Sequence, residues 1–164
     1  MAYDARAIAN EILIRAWESG FEPTQIDVQK ISYFLHGHHL LEFGEPLIAS
    51  EFEALHYGPV QRSLLDSFRK FGEEPIRELA QRFDPVKRVT IDIPRIRDNA
   101  VTQLVEKYLP VYLMIPSFEL VDITHAAGTP WSRTVNLAKN AVNIGMRISN
   151  DLIRTHFEGV RTAA

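Results

Sequence analysis

The chain has 164 residues, of which 46% are hydrophobic and 24% charged, with no cysteine and a formal net charge of -3. A chain of that length folds as about one domain and buries roughly 70% of its unfolded surface, and this composition is that of an ordinary globular protein. The acidic balance argues against general nucleic-acid binding, and the lack of cysteine against a disulfide framework or thiolate metal site. No apolar run approaches the eighteen or so residues of a membrane span, and the start MAYDARAIANEIL has no unbroken apolar stretch for a signal peptide, so a reducing cytoplasm is the expected setting.

Asp4 suits a helix N-cap, and Ile8, Ile12, Leu13, Ala16 and Trp17 recur at helical spacing up to Ser19-Gly20, predicting a helix over Asp4 to Ser19. Thr24 with Asp27 three residues later resembles a capping box and opens a second helix that runs to Phe43 and stops at Gly44. In this helix Ile31, Phe34, Leu35, His38 and Leu41 form one stripe and Tyr33, Gly37 and Leu40 another, the pattern of a helix surrounded by others. Gly37 in its interior is either a tolerated glycine or a place where another group comes close.

Phe52, Ala54 and His56 alternate with Glu51, Glu53, Leu55 and Tyr57, predicting a strand near Ser50 to His56. Pro59 suits a first helical residue, which predicts a third helix from Pro59 to Phe71. Glu73 to Arg82 reads as a short helix or an irregular connection. Val89, Ile91 and Ile93 alternate with polar neighbours and predict a strand that pairs with the earlier one. A fourth helix follows from Asp98, which Pro110 should kink or end, then one capped by Ser117, one opened by Thr129-Pro130, a connection over Gly145 to Ile148, and a terminal helix through Phe157. With no internal repeat or linker, the expected fold is mainly α (α+β): a compact single-domain helical bundle spanning 1–164, with about six to eight helices and a small two-stranded antiparallel sheet.

His36 and His39 in HGHH share a helical face, yet spacing marks no third metal ligand, and packed or surface imidazoles are the plainer explanation. Glu51 and Glu53 share a strand face, which suits a solvated surface better than an acid–base pair. No nucleophile elbow and no phosphate-binding glycine loop is present, so neither an enzyme nor a cofactor is expected. Tyr33, Tyr57 and Trp131 are amphipathic aromatics beside turns, which either close a core or anchor a partner.

The order Val28-Gln29-Lys30-Ile31-Ser32-Tyr33-Phe34-Leu35-His36-Gly37, then Gly44-Glu45-Pro46-Leu47, then Phe52-Glu53-Ala54-Leu55-His56-Tyr57-Gly58-Pro59-Val60, resembles the Panacea-domain family of SocA-like and phage-associated GepA-like proteins. Thr124-His125, Pro130-Trp131 and the ending Ile148 to Phe157 continue the resemblance, which runs from Asp4-Ala5 to Phe157. Departures are Val28 for the usual leucine, and His38 and Leu55 each for a tryptophan. The resemblance implies a bacterial or phage antitoxin that neutralises a cognate toxin by protein–protein contact in the cytoplasm. Some SocA-like members are proteolytic adaptors that present a toxin to an AAA+ protease such as ClpXP, so the resemblance implies that route as well, with no nucleic-acid binding of the chain's own. On that basis Gln29, Lys30, Tyr33, His36, Tyr57, His125 and Trp131 are the candidate partner-binding residues. The alternative is a small enzyme or a ligand- or metal-binding domain that uses His36, His39, His56 and His125 as polar groups in a helical cleft.

Overall fold

A computed structural model describes residues 1–138 and 145–163. It is mainly α with small antiparallel sheets, as expected, and α2 (Gln25–Phe43) is its axis. The predicted capping box is present at its start: Thr24 accepts from the Asp27 amide and the Asp27 carboxylate accepts from the Thr24 amide, while Gly44 closes the other end at φ 70°. Every residue from Val28 to Gly37 is buried. The helix is covered by α1 (Ala5–Glu18), α3 (Arg62–Phe68), α4 (Asn99–Leu113), α5 (Ser117–His125) and α7 (Asn150–Ala163). Helix α6 (Pro130–Leu137) packs on α5 and α7, and a 3₁₀ turn over Arg69–Phe71 follows α3.

Gly37 has the second of the two roles open to it. A Cβ placed there would lie 2.2 Å from the ring of Phe157, so the missing side chain is what allows α7 to lay an aromatic on α2. That ring also meets Tyr33 and His38 edge-on, at centroid distances of 6.1 and 5.2 Å. Pro110 does not end α4, which continues through it to Leu113.

The strand region differs from expectation in three places. Gly58-Pro59-Val60 forms β2, antiparallel to β1 (Phe52–Leu55), and α3 starts only at Arg62. Pro59 is tolerated there because the opposite residue, Ala54, turns its N–H away to the Met146 carbonyl at 2.8 Å, so no donor is needed at that rung. The connection near Gly145 to Ile148 supplies β5 (Arg147–Ile148), which pairs with Phe52 and Glu53 and gives the sheet order β2-β1-β5. The strand over Val89–Asp92 (β4) pairs with Gln81–Asp84 (β3) and not with β1, making a second sheet. A hairpin closed by the short turn at Pro85 to Arg88 loses far less chain entropy than pairing across the preceding thirty or so residues would. Asp84 Oδ1 accepts from the Val86 and Lys87 amides and fixes that turn.

Two buried side chains of α1 pin the base of this hairpin. Asn10 exchanges hydrogen bonds with both backbone groups of Ala80, at 2.9 and 2.8 Å. Glu11 accepts from the Arg95 guanidinium at 2.8 and 2.9 Å and from the Ile96 amide at 3.0 Å. Burial alone would raise the Glu11 carboxyl, but those donors and Arg15 outweigh it and hold the group below the ordinary carboxylate range. Among the described residues no helix is long and apolar enough to cross a membrane.

Candidate functional site

The turn joining β1 to β2 is where the motif residues converge. Gly58 sits at φ 106°, a conformation that favours glycine, and a Cβ there would meet Thr124 Oγ1 at 2.9 Å and Lys30 Nζ at 3.3 Å. Helices α5 and α2 thus close on the turn from two sides, while Tyr57 at its tip is 72% exposed.

Strand β2 has β1 on one edge and, among the described residues, no strand on the other. Side chains of α2 stand in for the missing neighbour. Lys30 Nζ donates to the Pro59 carbonyl at 3.0 Å. Two residues on, the Gln29 amide donates to the Gln61 carbonyl and accepts from the Gln61 N–H, both at 2.9 Å. Pro59 and Gln61 are alternate residues, so their polar groups face the same edge, and Gln29 and Lys30 satisfy it as a strand would. Gln61 extends the network by donating from Nε2 to the Ser50 carbonyl at 2.7 Å.

The other side of the turn is held by α5 and α6. His125 Nε2 donates to the His56 carbonyl and Trp131 Nε1 to the Leu55 carbonyl, each at 2.6 Å. The two rings meet edge to face with centroids 4.1 Å apart, so each orients the other. Backbone groups of Leu55, His56, Pro59 and Gln61 are therefore each taken by a side chain from a helix. Trp131→Phe keeps an aromatic ring but removes the indole N–H and the smaller of the two fused rings. It is expected to cost about 1 kcal/mol of stability and to speed amide exchange at His56 to Gly58, measurable by hydrogen exchange in the folded protein.

Lys30 is 2% exposed and makes no ion pair among the described residues. Burial pushes its ammonium down to about 7. His36, fully buried, accepts from the Ile48 amide at Nδ1, which leaves Nε2 protonated to donate to Asn150 Oδ1 at 2.8 Å. Burial lowers it to about 4 despite that bond, so the ring stays neutral. Tyr33 and His36 both pack on Phe52 at the start of β1, with centroids at 5.4 and 5.3 Å.

Of the seven candidate partner-binding residues, then, only Tyr57 stands on the surface. His125 and Trp131 are half-buried beneath it, and Gln29, Lys30, Tyr33 and His36 lie in the interior. Polar groups on a helix buried on all sides must be satisfied internally, and here the β1–β2 hairpin and its approach satisfy most of those on α2. The four histidines do not share a cleft either. His36 and His39 bond to different groups, Asn150 and the Glu45 carbonyl, and His56 with His125 lies at the turn. Among the described residues no three His, Asp or Glu side chains are grouped to hold a metal ion.

Sequence reasoning passed over Gln61, Thr124 and Asn150, although Thr124 and Asn150 stand inside the quoted motif segments. Of the departures, His38 is half-buried and stacks on Tyr108 with centroids 3.7 Å apart, and Val28 is fully buried, so both exchanges are absorbed by packing. Leu55 is half-buried and gives the clamp its carbonyl.

An arrangement that fixes backbone and displays Tyr57 with His56 is suited to binding a surface. Residues 28–132 match the family model described as antitoxin SocA-like, Panacea domain. Over 154 residues, 94% of this chain and 82% of the relative, the sequence is 30% identical to Antitoxin SocA of Caulobacter vibrioides (strain NA1000 / CB15N). The chain belongs to the SocA-like, Panacea-domain antitoxin family. A search of solved structures finds no match.

Proposed function

We propose that the chain is an antitoxin that neutralises a cognate toxin by direct contact, with the β1–β2 turn and Tyr57 at the centre of the contact. The observation that carries this reading is the clamp itself: four helix-borne side chains hold residues 55–61 through five hydrogen bonds, while Tyr57 at the tip, next to the exposed His56, is 72% exposed. An exposed tyrosine on a rigid backbone loses little freedom on binding, and such residues are enriched among those that dominate interface energies. Occlusion of the toxin needs an interface of roughly 800 Å² per partner, of which the turn would form the middle. The relative's name, Antitoxin SocA, supports the same role.

The test is titration of the purified chain with the product of the neighbouring reading frame. Tyr57→Ala is expected to weaken the complex by about 2 kcal/mol, roughly thirtyfold, with an unchanged melting temperature because the side chain stands in solvent. Equal affinity for the variant, or no complex with the wild type, would contradict the reading. Measuring toxin half-life with and without an AAA+ protease such as ClpXP in the same strains separates occlusion from delivery. Occlusion leaves the half-life unchanged; an adaptor shortens it only when the protease is present.

A further inference from the structure

The β3–β4 hairpin leaves the body of the protein. Its base is pinned at Ala80, Arg95 and Ile96, yet of its eight strand residues only Asp84 and Ile91 are even half-buried. Phe83 is 62% exposed, Val86 89% and Val89 48%. The sheet has two strands only, and none of the β3 residues makes a backbone hydrogen bond outside it among the described residues. A two-stranded sheet with bare edges and exposed apolar side chains is marginal alone and a ready template for a further strand.

The sequence of β3 names the strand that fits. Arg82-Phe83-Asp84 is self-complementary under antiparallel pairing about Phe83: Arg82 comes opposite Asp84 of a second copy, Asp84 opposite its Arg82, and the two Phe83 rings meet. No ion pair includes Arg82 or Asp84 among the described residues, and Asp84 uses only Oδ1 on the turn. Opposite charges and aromatic pairs directly across antiparallel strands are each favourable, and the same patch meeting itself is the signature of a two-fold dimer.

We propose that the chain forms a symmetric dimer through the free edge of β3, joining two hairpins into one continuous four-stranded antiparallel sheet. The partner is a second copy of this chain. The short strand makes it a small interface at the weak end of specific contacts, so the dimer forms in the micromolar range. It uses a different element from the Tyr57 turn and stands or falls independently of the toxin contact.

Sedimentation velocity of the full chain over a range of concentrations tests it. The wild type is expected to shift from monomer to dimer, less readily at high salt. Arg82→Asp and Asp84→Arg each place like charges across the axis and are expected to weaken self-association about tenfold or more. Mixed in equal amounts, the two variants restore both opposite-charge pairs and are expected to form a heterodimer. Phe83→Ala, which leaves the turn untouched, is expected to weaken the dimer too. A wild type that stays monomeric throughout, single variants that associate as the wild type does, or a mixture that fails to pair would overturn the proposal. So would a monomeric chain whose toxin affinity falls with Phe83→Ala, since that assigns the edge to the toxin.

Discussion

Raising the pH from 7 to 9 is expected to stabilise the wild-type protein by about 2 kcal/mol, and Lys30→Met is expected to remove that gain. Burial pushes the folded Lys30 ammonium down to about 7 from its ordinary 10.5. Between those values the unfolded chain binds one proton that the folded chain does not, so stability rises with pH, by up to about 1.4 kcal/mol per pH unit. Below the folded value both states are charged, and folding carries the full cost of burying the ammonium on the Pro59 carbonyl. The tyrosines whose hydroxyls burial raises, Tyr3, Tyr33, Tyr108 and Tyr112, ionise above this window. Chemical denaturation of both proteins at several pH values reads the slope directly. The slope is the diagnostic, because Lys30→Met also strips the Pro59 carbonyl of its donor and shifts absolute stability. Parallel lines for wild type and variant would show that Lys30 is not buried as described.

Gly37→Ala is expected to destabilise the protein by about 2 kcal/mol, although alanine is the better helix former by about 1 kcal/mol. The new methyl would have to occupy the place of the Phe157 ring, 2.2 Å from its Cζ atom. That ring is 8% exposed and meets Tyr33 and His38, so displacing it disturbs the packing of α7 on α2. Phe157→Ala alone is expected to cost about 3 kcal/mol or more, the usual loss for a buried aromatic. The double variant is expected to cost at least about 1 kcal/mol less than the sum, since the methyl added at position 37 then fills part of the space the ring vacates. Urea denaturation of the four proteins measures the coupling. Additive losses would mean that Gly37 and Phe157 do not share that space.

The helices were legible because their signals are local. Asp4, the Thr24–Asp27 box, Gly44, Asp98 and Thr129 act where they stand in the chain, and the helix starts and the α2 stop followed them. The strands were harder for a physical reason. Pro59 has the same local signature at a helix start and on the donor-free rung of a strand, and what decides is the pair of α2 side chains that complete the outer edge of β2. Strand β3 shows no alternation because both its faces meet solvent, so its only sign was the nearby Val89-Thr90-Ile91-Asp92 with which it pairs.

The site was half legible. Gln29, Lys30, Tyr57, His125 and Trp131 all converge on one turn, but composition cannot tell a side chain that touches a partner from one that holds the residue that does. A clue was present nonetheless. Gln29 and Lys30 stand between Val28 and Ile31 on a helix already recognised as surrounded, and polar groups in that position must have internal partners.

The central claim, that a turn clamped by the α2, α5 and α6 side chains presents Tyr57 to the toxin, is tested most directly by placing a photo-crosslinking phenylalanine analogue at position 57 in cells that co-express the neighbouring toxin. The account predicts a covalent antitoxin–toxin adduct from position 57 and none from the still more exposed Val86, at 89%, on the β3–β4 turn. An adduct from Val86 with none from position 57 would contradict it.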